Sequence, residues 1–288
     1  MNDHSTMPED GDASRSTMQE GDIPLRRWTE ASPRLAYTLS GPTDAPCVVL
    51  LHGVGSSAST WDELRRHLGG EFRYLAADYR GHGASEAPAG PYSVEDFVAD
   101  HFRLLDELGI DAVHLVGFSI GAIFAQAIAV ARPERTLSLV LLNSIGGRTD
   151  AEKERALARL EVIRTTPPAE VANGSLARWF TAHFARLRPD LVDAERAIVA
   201  ANAPEPYAAS YAVLATTEIL PTAHLVSVPT LIITGELDEG STPAMSAKLH
   251  ERIVGSRLHI RPGVKHYLHI EEAEAIGGLI TGFLREVA

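Results

Sequence analysis

A chain of 288 residues that is 45% hydrophobic has room for one large α/β domain with an insertion, or for two small domains. No apolar run reaches the roughly 18 residues a membrane span needs, and a net charge of −12 suits a soluble protein and argues against a nucleic-acid partner. Cys47 is the only cysteine, which excludes an internal disulfide and a cysteine-built metal site.

The first 22 residues carry Asp3, Glu9, Asp10, Asp12, Glu20 and Asp22 against Arg15. They lack the apolar segment of a signal peptide and are expected to form a disordered acidic tail. With no export signal the cytoplasm is the expected location. Strand-like segments follow at 34–41, 47–53, 72–78, 112–118, 136–144, 229–235 and 256–263. Several, such as "CVVLLHG" and "PTLIITG", are continuous apolar runs, as expected of parallel strands covered on both faces. Helical patterns lie between them at 60–68, 94–108, 120–131, 243–253 and 272–287. This alternation predicts a doubly wound, mostly parallel α/β sheet. Between 148 and 221 no strand is legible; "TDAEKERALARLEVIR" and "SLARWFTAHFARL" read as amphipathic helices, with Pro167, Pro168, Pro204 and Pro206 as breakers. The expected organisation is a core of 23–147 and 222–288, with a helical cap of 148–221 inserted before the last two strands, a lid over the sheet's C-terminal edge.

"HLVGFSIGAIFAQ" ends a strand in a serine between glycines and restarts as a helix. Gly117-Phe-Ser119-Ile-Gly121 fits G-x-S-x-G in the strand–turn–helix context that pattern requires. A turn that sharp crowds neighbouring backbones, which glycines relieve because they lack Cβ. The serine either begins a helix or is displayed as a nucleophile. A displayed serine needs a base, and the base an orienting carboxylate, in the chain order serine, acid, histidine. Asp238 follows the strand in "PTLIITGELDEG", with Glu236 and Glu239 as rivals. His266 sits in the loop of "RPGVKHYLHIEE", with His269 as its rival. The backbone N–H groups of Val54, in "LHGVG", and of Ile120 are the expected oxyanion donors.

Two further patterns compete. Gly53-Val-Gly55-Ser-Ser-Ala58, with Asp78 at the next strand's end, also fits a dinucleotide fingerprint. That NAD reading leaves Ser119, Asp238 and His266 unexplained, and His52 stands where the strand should run straight into the first glycine. His266-x-x-His269 has metal spacing but no carboxylate or thiol set to complete a site. No cofactor and no metal are therefore expected, and His82 in "RGHGAS" is read as structural.

With "HGVG", "DYRGHGAS", "GFSIG", "GELD" and "KH" in hand, the chain resembles the α/β-hydrolases over about residues 25 to 288. Within them it is most similar to the 3-oxoadipate enol-lactonase group, through "ARWFTAHF", "PEPYAASYAVL" and "STPAMSAKL". The resemblance puts nucleophile, acid and base on Ser119, Asp238 and His266. It departs in having Ile120 for the usual Met or Leu, Ala122 for a further Gly, and Lys265 for the small residue before the base. It implies cofactor-free cleavage of an ester, lactone or enol-lactone bond of a small-molecule substrate through an acyl-enzyme. His52, Gly53, Trp179 and Phe180 would line the pocket, unless the two aromatics are core of the cap. Arg148 or Arg178 would bind a substrate carboxylate. The alternatives are a C–C bond hydrolase or cofactor-free haloperoxidase on the same fold, and a non-catalytic ligand receptor. No membrane partner is expected; a homo-oligomer stays open.

Overall fold

The computed structural model describes residues 25–288; the expected acidic tail, 1–22, lies outside them. Eight strands form one sheet: β1 (Arg27–Trp28), β2 (Ala36–Ser40), β3 (Cys47–Leu51), β4 (Arg73–Ala77), β5 (Val113–Phe118), β6 (Thr136–Leu142), β7 (Thr230–Gly235) and β8 (Arg257–Arg261). Their order is β1-β2-β4-β3-β5-β6-β7-β8. The β1–β2 and β2–β4 pairs are antiparallel and the rest parallel, so the sheet is mostly parallel, as the apolar runs predict. Two-residue β1 is too short to leave a periodic signal and is absent from the expected set.

The helices are α1 (Asp62–Arg65), α2 (Val94–Glu107), α3 (Ile120–Ala131), α4 (Asp150–Thr165), α5 (Pro168–Asn173), α6 (Leu176–Trp179), α7 (Ala182–Leu187), α8 (Pro189–Ala200), α9 (Pro204–Thr216), α10 (Pro243–Arg252), α11 (Leu268–Glu271) and α12 (Ala273–Val287). Alternate residues of the central strands enter different cores because successive side chains point to opposite faces. Val49 and Leu51, Leu139 and Leu141 join the cluster around α3, with Phe124 and Ile128. Val48 and Leu50, Val140 and Leu142 join the cluster around α12, with Ile276, Ile280 and Leu284. Burial on both faces is why β3, β5 and β7 carry no polar alternation.

Chain order fixes where chemistry can sit. From β3 the chain crosses to β4 on one side, then returns to β5 on the other. The crevice beyond the carboxyl ends of β3 and β5 is thus a topological switch point, the habitual ligand position in such sheets. Between β6 and β7, α4 to α9 follow one another with no strand. The expected second helix of this insertion is two: α6 stops at Trp179 and α7 starts after Thr181, whose hydroxyl accepts from the Phe184 N–H. Pro168 and Pro204 begin helices rather than break them, because the first helical position has no use for an N–H.

One contact between insertion and core has a measurable consequence. Glu195 of α8 is buried and accepts from Ser56 Oγ at 3.4 Å. Burial pushes its carboxyl from the ordinary 4.5 up to about 7, against the hydroxyls of Thr60 and Ser56, which lower it. The folded protein therefore holds this proton more tightly than the unfolded chain. Its contribution to stability is fully present below about pH 4.5 and is lost as the pH rises through about 7. Glu195→Gln, a neutral isostere, is expected to raise the melting temperature at pH 8, by the equivalent of roughly 1–3 kcal/mol of relieved desolvation. The gain should shrink towards pH 5; thermal melts showing an equal gain at both pH values would contradict this.

Candidate active site

Ser119 lies between the last residue of β5 and the first of α3, with φ 57° and ψ −117°. That left-handed backbone is strained for a residue with a Cβ. Two glycines make it sterically feasible: a Cβ on Gly117 would collide with the Gly121 carbonyl, and one on Gly121 with the Leu51 carbonyl. The Ser119 N–H donates to the Leu142 carbonyl at 3.0 Å, and its own carbonyl accepts from the Ala122 N–H at 3.0 Å. Its side chain does not cap α3; it faces a cavity of about 750 Å3 between the sheet edge and the insertion.

Asp238, beyond β7, and His266, beyond β8, line the same cavity. His266 Nδ1 is 2.6 Å from Asp238 Oδ2. Oδ1 of Asp238 accepts from the N–H groups of Gly240 at 2.9 Å and Ser241 at 3.0 Å. Asn143 Nδ2 donates to Oδ2 at 2.5 Å. Burial by itself would raise the carboxyl's pKa; the His266 charge and these donors overcome it and hold the pKa below its ordinary value. A carboxylate acceptor facing Nδ1 puts the imidazole proton there and leaves Nε2 as the acceptor. The rival acids Glu236 and Glu239 line the same cavity, but His266 Nδ1 pairs with Asp238. His269, in α11, is buried with Nε2 3.1 Å from Thr60 Oγ1, and burial, then the His266 charge, pushes its pKa down to about 3. Glu236 accepts from the Gly263 N–H.

Sequence reasoning missed Asn143. It follows β6 with φ 48°, and its N–H donates to the Ile233 carbonyl at 2.9 Å. The available signal was its type: an asparagine ending an apolar strand tolerates the left-handed conformation better than most residues.

Gly53 and Val54 form the opposite lip of the cavity. Ile120 opens α3, so its N–H has no acceptor within the helix. The loop is fixed from below: Gly55 donates its N–H to His82 Nε2 at 3.0 Å, and its carbonyl accepts from Asn202 Nδ2 at 2.6 Å. His52 is not a wall residue, which corrects its assignment to the pocket. It is buried, with Nδ1 2.8 Å from the Gly53 carbonyl and Nε2 accepting from the Tyr79 N–H at 3.1 Å. Burial, opposed by the Gly53 carbonyl, takes its pKa down to about 4, so at neutral pH it is an uncharged spacer. Asp78 engages the N–H groups of Ala58 and Ala84 through its two carboxylate oxygens, the carboxylate the dinucleotide reading would have turned towards a ribose.

Two more pocket assignments are corrected on the insertion side. Trp179 lines the cavity, but Phe180 is 2% exposed and packs on Phe184 and Tyr267 in the second core. Arg148 reaches the wall, yet its guanidinium donates to the carbonyls of Leu214, Ala215 and Thr217 and clamps the end of α9. Arg178 does line the cavity, as do Arg155, Arg159, Tyr207 and Tyr211, which the sequence did not single out.

The loop that carries His266 is fastened to the insertion. Lys265 Nζ donates to the Ala177 carbonyl, the Tyr267 N–H donates to the Trp179 carbonyl at 3.0 Å, and Glu271 accepts from the N–H and hydroxyl of Thr181. The long side chain of Lys265, a departure from the small residue expected before the base, thus spans to the insertion.

A family model described as alpha/beta hydrolase fold matches residues 46–273. The chain is 28% identical to 3-oxoadipate enol-lactonase 2 of Acinetobacter baylyi over 87% of its length and 93% of that protein. It is 29% identical to a Bacillus subtilis protein named putative 2-succinyl-6-hydroxy-2,4-cyclohexadiene-1-carboxylate synthase, over 88% of this chain and 96% of the other. The enol-lactonase from Burkholderia xenovorans LB400 superposes with a TM-score of 0.84 at 30% identity, covering 90% of this chain and all, 100%, of that one. No helix among the described residues is long and apolar enough to cross a membrane.

Proposed function

The chain belongs to the α/β-hydrolase family and is an enzyme of the hydrolase class, and on that footing we propose that it hydrolyses an ester, lactone or enol-lactone bond of a small molecule through an acyl-enzyme on Ser119. The observation that carries this reading is that Ser119, His266 and Asp238, from three separate loops, face one cavity with the Asp238–His266 pair at 2.6 Å. His266 Nε2 takes the Ser119 proton as Oγ attacks the carbonyl carbon. The negative charge passes to the carbonyl oxygen, which receives the N–H groups of Val54 and Ile120; one such donor is worth about 3–4 kcal/mol in the transition state. Asp238 holds the Nδ1 proton and stabilises the imidazolium. Nε2 then returns its proton to the departing alkoxide or enolate oxygen. In the second half Nε2 takes a proton from a water whose oxygen attacks the acyl carbon, and returns it to Ser119 Oγ as the C–Oγ bond breaks, releasing the acid and restoring the serine. Trp179 and the insertion limit water entry and shape the pocket. The enol-lactonase names of two similar proteins favour a lactone among the ester-like bonds.

The test is to mix the enzyme with an aryl ester, a lactone, an enol-lactone and a diketone, and to quench the aryl ester reaction for peptide mass analysis. The expected outcome is hydrolysis of the ester-like bonds and an acyl mass on the peptide holding Ser119. His266→Ala should also abolish labelling of Ser119 by a fluorophosphonate. Cleavage of the diketone with no ester or lactone turnover would replace the reading with C–C bond hydrolysis.

A further inference from the structure

Two guanidinium groups converge on one buried hydroxyl in the wall of the cavity. Ser175, 1% exposed, precedes α6. Its Oγ accepts from Arg159 Nη2 at 2.6 Å and from Arg178 Nη2 at 2.9 Å, and donates to the Val171 carbonyl at 2.7 Å. A hydroxyl has one proton and two lone pairs, so Ser175 is fully engaged as the hub of the two cations. Arg155 stands one turn before Arg159 on α4 and lines the same cavity. Among the described residues none of these three arginines has a carboxylate partner. Arg164, Arg188 and Arg196, elsewhere in the insertion, are each paired with one. Of the acids in the cavity wall, Glu152 feels the Arg155 charge but is held by the N–H and hydroxyl of Thr149 as a helix cap, Glu236 accepts from the Gly263 N–H, and Asp238 pairs with His266.

Like charges gathered this closely repel unless an anion joins them. Burial first, and the Arg178 charge second, draw the Arg159 pKa below its ordinary value, so part of the lowering comes from a neighbouring cation. Each guanidinium keeps further N–H donors in a planar fork suited to oxygen anions. The cluster is also fixed relative to the chemistry: the residue after Arg178 is Trp179, whose carbonyl accepts from the Tyr267 N–H beside the base. Three unpartnered cations exceed what one carboxylate neutralises, and a cavity of about 750 Å3 leaves room for a bulky charged end beside the carbonyl at Ser119.

We propose that Arg155, Arg159 and Arg178 form a dianion subsite, so that the substrate carries a doubly charged group, a vicinal dicarboxylate or a phosphate monoester, at the end away from the scissile bond. This deepens the hydrolase reading, which supplies the carbonyl end of the same molecule.

The probes are hexylsuccinate and hexyl phosphate, both dianionic near pH 8, against monoanionic heptanoate, as inhibitors of neutral aryl ester hydrolysis. At least one dianion should inhibit tenfold or more better than heptanoate, and which one does so identifies the headgroup. Arg178→Gln and Arg155→Gln, which break no hydrogen bond to a backbone carbonyl, should each cut that dianion-over-monoanion ratio at least fivefold; Arg159→Gln should do so too if it folds. Equal inhibition by all three ligands, or a ratio unmoved by the two exposed substitutions, overturns the proposal. Calorimetric titration of the same ligands into Ser119→Ala reads the subsite independently of turnover. Dianion preference there with no ester hydrolysis by the wild type would refute the hydrolase reading and leave the subsite standing. Absence of preference beside active wild type would do the reverse.

Discussion

Ser119→Ala is expected to lower turnover of any ester-like substrate by roughly four to six orders of magnitude, leaving only the rate due to binding and oxyanion donors. Its melting temperature should stay within a degree or so of the wild type, because the side chain makes no cap to α3 and alanine inherits the same backbone. Ser119→Gly separates the two effects. It is equally inactive, but glycine adopts φ 57° without the strain a Cβ imposes, so the variant should be more stable by about 1 kcal/mol. Activity assays beside thermal melts of both variants check this. An alanine variant retaining more than a hundredth of wild-type turnover would remove Ser119 from the chemistry, and a glycine variant no more stable than alanine would remove the strain.

Asp238→Asn should depress turnover by about 10^4-fold with the fold intact. The direction follows from the donors around the carboxylate. The N–H groups of Gly240 and Ser241 demand an acceptor at the Oδ1 position, so an asparagine must place its oxygen there. Its NH2 then faces both Asn143 Nδ2 and His266 Nδ1. Facing a donor, Nδ1 gives up its proton and the imidazole carries it on Nε2, where it can no longer accept from Ser119. The wild-type carboxylate avoids this over the whole neutral range, since its pKa is held below the ordinary 3.8. The measurement is kcat across pH for wild type and variant, with circular dichroism for the fold; a loss smaller than tenfold would contradict the tautomer assignment.

That these two residues and His266 meet at one cavity was legible because their placement is written in local patterns. A strand run ending in glycine–serine–glycine contains its own backbone geometry. The carboxylate and imidazole each follow a strand, and parallel strands bring their ends to one edge. The insertion was less legible for the converse reason. Trp179 and Phe180 are neighbours, yet one reaches the cavity and the other the core, because α6 ends between them and the chain turns extended at Phe180. Helical periodicity carries no information about such a break. Arg148 and Arg178 looked alike as surface arginines; only the fold of α9 supplies the three carbonyls that occupy the first. His52 looked like a pocket residue from its place in "LHGVG", but Tyr79, from a loop 27 residues on, draws its ring away. Asn143 depends on a partner 95 residues later, a separation no local pattern spans.

The tie between residues 265–271 and residues 177–181 bears on how this scaffold can be rebuilt. A chimera that exchanges only the stretch between β6 and β7 for a relative's would loosen the loop carrying His266 wherever the new backbone shifts the groups at 177, 179 and 181 that these contacts use. Such grafts would fail in rate rather than in folding, and adding residues 265–271 from the same donor should restore them. Two segments far apart in the gene, 177–181 and 265–271, are accordingly expected to travel best together.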